Sequence, residues 1–520
     1  MSEVKTVTLT VDGRTVRAAE GTNLLRAAAA AGIDIPHFCF HPAFEAEGSC
    51  RMCLVEIEGL PKLELACATV VREGLIVRTA TDRVREARRA VLEFLLAEHP
   101  LDCPICDKAG ECKLQDYYDA HGRFPGRFVE PREKRDKLVA IGRGLVLDRE
   151  RCILCTRCVR FLRKVTRTGE LGVFERGVRA EIGTYGDDPV DQRLLRQSRR
   201  HLSRRGHHRY GLPVQDAGLV PGTASVGLSA LRPRVRRRRR VRDRISPPRC
   251  SRGCAVVVES VTGYPLGPGE RRVFRIRAGE NPAVNGPWIC DLGRAGRRDI
   301  DEGRLTAVTD KAATGGTVLW RKAVADLAAH IRAVPGAERP ARIAVVLNSF
   351  MTCEELALAR RIFKEGLGLG GVFIADPPPG SGDGWLLTAE RVPNARGVLE
   401  AGFTPRLPDL DVLARSTGIL IVFGPYLSGN FPAGTAARVL SPVAVKYLFT
   451  SRAVPDDRLA DVAVPVAVPA ERSGTYINVD GLRQTFRQAV APPQGIPSEH
   501  EILVGLAHGL GLGVGEPDAG

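Results

Sequence analysis

Thirteen of the fourteen cysteines lie before residue 291, and they come in short groups instead of being scattered. Met1 to Val11 holds no apolar stretch of the kind that directs secretion. Grouped thiols outside an oxidising compartment point to metal or redox centres rather than disulfides. The first group is Cys39-x10-Cys50-x2-Cys53-x13-Cys67. Four thiolates from one long loop and one later strand suit a centre of two irons, and a wide loop with a single C-x2-C pair is a [2Fe–2S] spacing. A structural zinc site also takes four Cys, but its ligands usually come as paired short spacings. Gly48, close before Cys50, lets the backbone approach the sulfurs. His37 and His41 flank Cys39 and read as solvent-facing or hydrogen-bonding residues.

The second group is His99-x3-Cys103-x2-Cys106-x5-Cys112. A [4Fe–4S] cluster needs four protein ligands, and the next cysteine is as far away as Cys152. The imidazole of His99 is therefore the expected fourth ligand, and it raises the potential of the cluster as His does in Rieske centres. The third group, Cys152-x2-Cys155-x2-Cys158, is three quarters of a bacterial [4Fe–4S] run, with Leu162 where the fourth Cys would stand. The fourth is Cys250-x3-Cys254 with distant Cys290, and Pro247 occupies the place of a preceding Cys. It offers three thiolates for a further, incomplete cluster. Cys353 reads as a small packing residue.

These groups need elements to hold them. Val7, Leu9 and Val11 alternate, Asp12-Gly13 is a hairpin turn, and Val16 resumes the strand. Thr22 is the expected cap of a helix from Asn23 to about Ala31. Alternation returns at Leu54–Glu58 and Leu63–Ala66. Val84, Ala87, Val91, Leu95 and Leu96 lie at helical spacing and deliver His99. Residues 317–334 and 352–366 are helical, the second opened by the capping box Thr352-x-x-Glu355. Strand-like runs at Ile343–Leu347, Val372–Ala375 and Ile419–Phe423 alternate with helices, which predicts a parallel α/β sheet. Gly366-x-Gly368-x-x-Gly371 matches a dinucleotide fingerprint by letter, but it follows a helix instead of opening one, so it reads as a helix-ending loop.

The net charge of +16 on 520 residues invites a nucleic-acid reading, and its distribution rejects it. Residues 192–249 carry 17 Arg, no Lys or Glu and two Asp, a balance of +15 on their own. No nucleic-acid partner is expected. No apolar run approaches the ~20 residues of a membrane span.

In this order the motifs resemble the large iron–sulfur subunit (the G type) of bacterial NADH–quinone oxidoreductase, respiratory complex I. Cys152-Ile153-Leu154-Cys155-x2-Cys158-Val159-Arg160-Phe161, Gly169-Glu170-Leu171-Gly172, Arg179–Gly183, Glu280–Gly286 and Cys290-Asp291 carry the likeness, and Ala460-Asp461-Val462 through Glu471, Gly474-Thr475, Asn478, Gly481 and Gln484 extend it. It covers about 1–190 and 250–500.

The resemblance implies an α/β multidomain chain. A β-grasp [2Fe–2S] ferredoxin domain would span 1–82, a His/Cys3 [4Fe–4S] domain 83–122 and a [4Fe–4S] ferredoxin-like segment 140–191. A molybdopterin-oxidoreductase-type segment would follow at 250–304, and a truncated, degenerate scaffold of that fold, with no molybdopterin, at 305–520. Electrons would pass from a flavin-bearing, NADH-binding subunit through these clusters toward quinone, with this chain binding neither NADH nor quinone. Its partners would be that subunit and other iron–sulfur subunits, in the peripheral arm on the cytoplasmic side of the membrane. The alternative is an iron–sulfur subunit of an NAD-linked hydrogenase or formate dehydrogenase. In the family a further Cys completes the third cluster, and counting from Asp191 puts it near His201. The Arg-rich text of 192–249 there reads as a pair of compensating reading-frame shifts. The functional alternative is that His201 replaces the Cys.

Overall fold

In the computed structural model, Asp12 and Gly13 take φ of 48° and 77°. Two successive positive-φ residues make the primed turn whose twist suits a hairpin. They join β1 (Thr6–Val11) to β2 (Arg14–Ala19). The structure describes residues 5–106, 108, 112–137, 139–142, 145–186, 190, 207–208, 250–262, 271–312, 318–453 and 460–513. The chain divides into two units, Met1–Arg232 and Pro233–Gly520.

In the first unit β3 (Leu54–Ile57), β4 (Glu64–Leu65) and β5 (Ile76–Arg78) complete a sheet of order β2-β1-β5-β3-β4, with β1 and β5 parallel. Helix α1 (Leu24–Ala30) lays Leu24, Leu25, Ala27 and Ala28 on Val7, Leu9, Val11, Val55 and Val77. At about 1.5–3 kcal/mol for each large apolar side chain buried, this face holds the helix. The helix is capped by Asn23 rather than Thr22. The Asn23 Oδ1 accepts from the backbone N–H of Leu25 at 3.0 Å and Arg26 at 3.3 Å, geometry that the residue one place earlier does not share.

Helix α2 (Asp82–Ala97) begins at Thr81, whose hydroxyl accepts from Val84 N at 3.3 Å. It buries Val84, Arg88 and Leu92, and Leu92 packs with Leu114 and Tyr117 of α3 (Lys113–His121) against Phe38 and Met52. Strands β6 (Val139–Gly142) and β7 (Leu145–Leu147) form a hairpin. The short helix α4 (Arg157–Arg160) runs on as one π turn over Phe161–Val165, and β8 (Leu171–Phe174) pairs with β9 (Glu181–Thr184). Strand β10 (His207–His208) adds to β7 antiparallel. The rest of 192–249, with His201 and Pro247, lies outside the described residues.

The second unit opens with the hairpin β11 (Val256–Thr262) and β12 (Arg271–Ala278), then helix α5 (Asp291–Ala295). Its main sheet has the order β13-β18-β17-β16-β14-β15. Here β13 is Thr309–Asp310, β14 Ile343–Leu347, β15 Val372–Ile374, β16 Ile419–Phe423, β17 Val445–Thr450 and β18 Val462–Pro465. Strands β14 to β18 are parallel, and their order is that of a doubly wound sheet. Every residue of β14 and β16 is buried, as strands covered on both faces must be. Helices α6 (Trp320–Ala333), α7 (Cys353–Ala359) and α8 (Glu499–Gly509) cover one face. The capping box of Thr352 and Glu355 opens α7, which passes into a π-helical stretch at Arg360–Gly366. Gly366–Gly371 thus ends a helix and enters β15, as a loop. Among the described residues no helix is long and apolar enough to cross a membrane.

Candidate metal centres

The loop from α1 to β3 carries Cys39, Cys50 and Cys53, and Cys67 follows β4. Cys39, Cys53 and Cys67 are buried, and Cys50 is half-buried. The loop turns at Gly48 and Arg51, with φ of 68° and 53°. The positive φ is what asks for glycine at 48; a Cβ there would stand 2.9 Å from Leu65 Cδ1, the mobile end of a side chain that can shift. The fold brings the four cysteines together two by two: Cys39 and Cys50 meet across the loop, and the carbonyl of Cys53 accepts from Ala66 N at 3.0 Å, next to Cys67. The Cys50 sulfur also accepts from the backbone N–H of Phe38 and of Cys39, each at 3.4 Å.

Within each pair one sulfur is held toward thiolate. The hydrogen bond from Cys50 brings Cys39 down to about 5, and Cys53 lowers Cys67 in the same way. The partner thiols, Cys50 and Cys53, are pushed up by those bonds and then by burial. A binuclear iron centre takes two thiolates on each iron, and four buried or half-buried cysteines on one loop and the end of β4, with amide donors aimed at one sulfur, are a donor set that fits it. Among the described residues no three His, Cys, Asp or Glu side chains close on one point as around a single ion.

His99 follows the end of α2 and is half-buried. Cys103 opens a 3-10 turn and is exposed, Cys106 is half-buried, and Cys112 is the buried N-cap of α3, its sulfur accepting from Gln115 N at 3.4 Å. All four thus sit on the segment joining two helices that pack together. Asp102 within it accepts from Lys137 Nζ at 2.6 Å and Arg151 Nη2 at 2.8 Å, which hold its carboxyl below the usual range.

Cys152, Cys155 and Cys158 wrap a loop in which Leu154 and Thr156 take φ of 51° and 55°. Left-handed backbone at two non-glycine residues is costly and marks a loop forced into shape. Burial pushes Cys152 up to about 12, and Cys158 is raised by burial and then by Cys155 and Cys152. Leu162 is fully buried packing.

In the second unit Cys250, Cys254 and Cys290 are all buried. Burial raises Cys254, and Cys250 and Cys290 add to the rise. Cys290 caps α5, its sulfur accepting from Gly293 N at 3.4 Å, and Cys250 lies 3.2 Å from Thr388 Oγ1. Buried Asn285 ties the two stretches, accepting from Ala255 N at 2.8 Å and donating to Trp288 O at 2.6 Å. Cys353 is half-buried near Asn394 and joins no group of thiols.

Sequence reasoning missed Arg157 and Arg160. Both are buried on α4, and Arg157 Nε donates to the carbonyl of Cys39 at 3.3 Å. The signal was a pair of arginines at helical i,i+3 spacing around Cys158, which a surface reading of arginine passes over. It also missed Arg472. The C-terminal ends of β14, β16 and β17 open on a cavity lined in part by Asn348, Gly424, Ser451 and Arg472. Arg472 there is held by Glu355, Glu499 and the carbonyl of Phe350.

Residues 4–82 match a 2Fe-2S iron–sulfur cluster binding domain. Residues 88–124 match the iron–sulfur binding region of NADH-ubiquinone oxidoreductase-G, and 142–196 the ferredoxin-like domain of NADH-quinone oxidoreductase subunit 3. The chain is similar to the G-type iron–sulfur subunit of NADH–quinone oxidoreductase. The G-type subunit from Mycobacterium bovis is 37% identical over 294 residues, which is 55% of this chain and 33% of that protein. The NADH-quinone oxidoreductase subunit 3 of Thermus thermophilus is 32% identical over 397 residues, 69% of this chain and 46% of that protein. A chain from a crystal structure of NAD+-reducing [NiFe]-hydrogenase is 35% identical over 35% of this chain and 76% of that one, with a TM-score of 0.33. The chain therefore spans between a third and a half of the length of these NADH–quinone oxidoreductase relatives.

Proposed function

We propose that this chain is an electron-relay subunit of an NADH–quinone oxidoreductase, carrying electrons from a flavin-bearing, NADH-binding subunit toward quinone. The observation that carries the reading is the gathering of Cys39, Cys50, Cys53 and Cys67 by one loop and the end of β4, with two backbone N–H groups donating to the Cys50 sulfur, beside a β-grasp sheet. These four residues would hold a [2Fe–2S] cluster, and His99, Cys103, Cys106 and Cys112 a [4Fe–4S] cluster. Cys152, Cys155 and Cys158 would give three ligands of a second [4Fe–4S] cluster, and Cys250, Cys254 and Cys290 a degenerate further site. Such groups supply one-electron carriage at a potential set by charge, burial and hydrogen bonds to sulfur.

The chain's own work is then to hold and to tune. The Phe38 and Cys39 amides donate to sulfur and favour the more negative, reduced state. Phe38, Phe40 and Met52 exclude water around the loop. The domain limits 1–82, 83–122, 140–191, 250–304 and 305–520 follow the same reading, with the last part a scaffold of degenerate molybdopterin-oxidoreductase type. The partners would be the flavin subunit and neighbouring iron–sulfur subunits, in a peripheral arm on the cytoplasmic side. The test is iron and acid-labile sulfide counting with EPR of the dithionite-reduced, purified chain. A binuclear signal with a tetranuclear one supports the reading, and protein without sulfide defeats it.

A further inference from the structure

Two buried arginines of α4 reach from the Cys152–Cys158 segment into the Cys39 loop. Arg160 donates to the carbonyls of Cys39, of Glu45 at 3.2 Å and of Cys155 at 3.3 Å. Arg157 donates to the carbonyls of Cys39 and Phe40. Arg160 is 3% exposed, its Nε stands 3.3 Å from Glu47 Oε2, and its guanidinium lies 5.3 Å from the centre of the Phe44 ring.

Burying a guanidinium costs several kcal/mol unless its donors are satisfied. Here the satisfaction comes largely from carbonyl dipoles, which solvate a cation without neutralising it. The carboxylate facing it, on Glu47, has a side chain 37% exposed, so solvent weakens that pairing. The positive charge is thus kept beside the loop. One side chain also grips a ligand-bearing residue of each of two thiol groups, Cys39 and Cys155.

We propose that Arg160, seconded by Arg157, is the positioning residue of the Cys39–Cys67 centre. Its planar fork fixes the Cys39 loop against the Cys152–Cys158 segment, and its charge favours the reduced form of the centre. One-electron reduction adds one negative charge there and moves no proton. A lysine cannot reproduce the fork, and a glutamine cannot supply the charge. This rests on the reading of Cys39, Cys50, Cys53 and Cys67 as the ligands of a binuclear cluster.

The experiment is a dithionite potentiometric titration of the full chain, followed by EPR, with iron counting and hydrogen exchange. If the wild-type protein shows no binuclear signal, it is the cluster reading that fails. Given that signal, Arg160→Gln should lower its reduction equilibrium at least tenfold, about 59 mV for one electron. Arg163→Gln, at an exposed position on the same segment, should leave it in place. Arg160→Lys should hold the potential while amide exchange quickens at both 39–45 and 153–158. An unchanged potential in Arg160→Gln with full iron overturns the proposal, as does an equal fall in Arg163→Gln. If Arg160→Gln loses its iron, Arg160→Lys decides: a retained potential with faster exchange supports the proposal. Loss of iron in both, or unchanged exchange in Arg160→Lys, overturns it.

Discussion

Replacing Arg472 by methionine tests the packing of the second unit at a buried cluster of charges. Arg472 Nη1 lies 2.9 and 3.0 Å from the two carboxylate oxygens of Glu355 and also holds Glu499, and its Nη2 donates to Phe350 O at 2.6 Å. The three charged side chains are 6%, 2% and 4% exposed. Methionine keeps the apolar stem and removes the charge, leaving two carboxylates facing each other. Breaking a buried ion pair costs about 3–5 kcal/mol. At ~2–4 °C per kcal/mol for a unit of this size, about 4 kcal/mol should lower its melting temperature by roughly 8–16 °C. All three tryptophans, Trp288, Trp320 and Trp385, lie in this unit, so tryptophan fluorescence follows it alone. The loss should depend on pH. Burial already raises the Glu499 carboxyl, against the pull of Arg472, and removing Arg472 raises it further. The fold then keeps a proton that the unfolded chain releases near about pH 4.3, so stability falls as pH rises from there through the folded value. The variant should be less damaged at pH 5 than at pH 8, and a second change, Glu499→Gln, should restore part of the loss. A drop under about 3 °C at pH 8, or an equal drop at both pH values, would refute the reasoning.

Cys53→Ala should remove the EPR signal of a binuclear centre while leaving tetranuclear signals, and its persistence at full intensity would sink the assignment of Cys53. His99→Cys should keep four irons at the second centre but lower its midpoint potential in a redox titration, because a thiolate adds negative charge; an unchanged potential argues against His99 as ligand. Metal analysis of the purified chain should find no stoichiometric molybdenum or tungsten, and finding either would overturn the scaffold reading of 305–520.

The sequence made the chemistry legible before the fold, because cysteine spacing is a direct record of ligand geometry. The Asp12-Gly13 turn, the Thr352 capping box and the loop at Gly366–Gly371 were legible for a like reason: each is local, and its few residues carry their own backbone rule. The helix cap was misplaced by one residue, since Thr22 and Asn23 are both good caps. What decides is which side chain meets the second and third helical N–H groups, and Asn23 is further held by donating from Nδ2 to the carbonyl of Cys67. That contact spans 44 residues and appears in no local pattern.

What stayed hidden was non-local and charged. Bringing Cys39 to Cys50 needs a loop closed across ten intervening residues, and bringing Cys67 near Cys53 needs β3 and β4 in register, Leu54 opposite Leu65. Arg88 joins that frame by donating to Leu54 O at 3.2 Å from the buried face of α2. Arg88, Arg157, Arg160 and Arg472 are each less than 10% exposed, against the usual habit of arginine. A pattern of apolar positions cannot find them, because they bury by satisfying carbonyls and carboxylates instead of by being apolar. In the first unit three of them hold backbone carbonyls beside thiol groups: Leu54 next to Cys53, Cys39 itself, and Cys155. The sulfurs are placed by the spacing that the sequence displays, but the loops that carry them are held by buried cations that the spacing does not predict. Arg88, Arg157 and Arg160 thus belong to the framework of these loops as much as the cysteines do, though none of them is a sulfur ligand that spacing would single out.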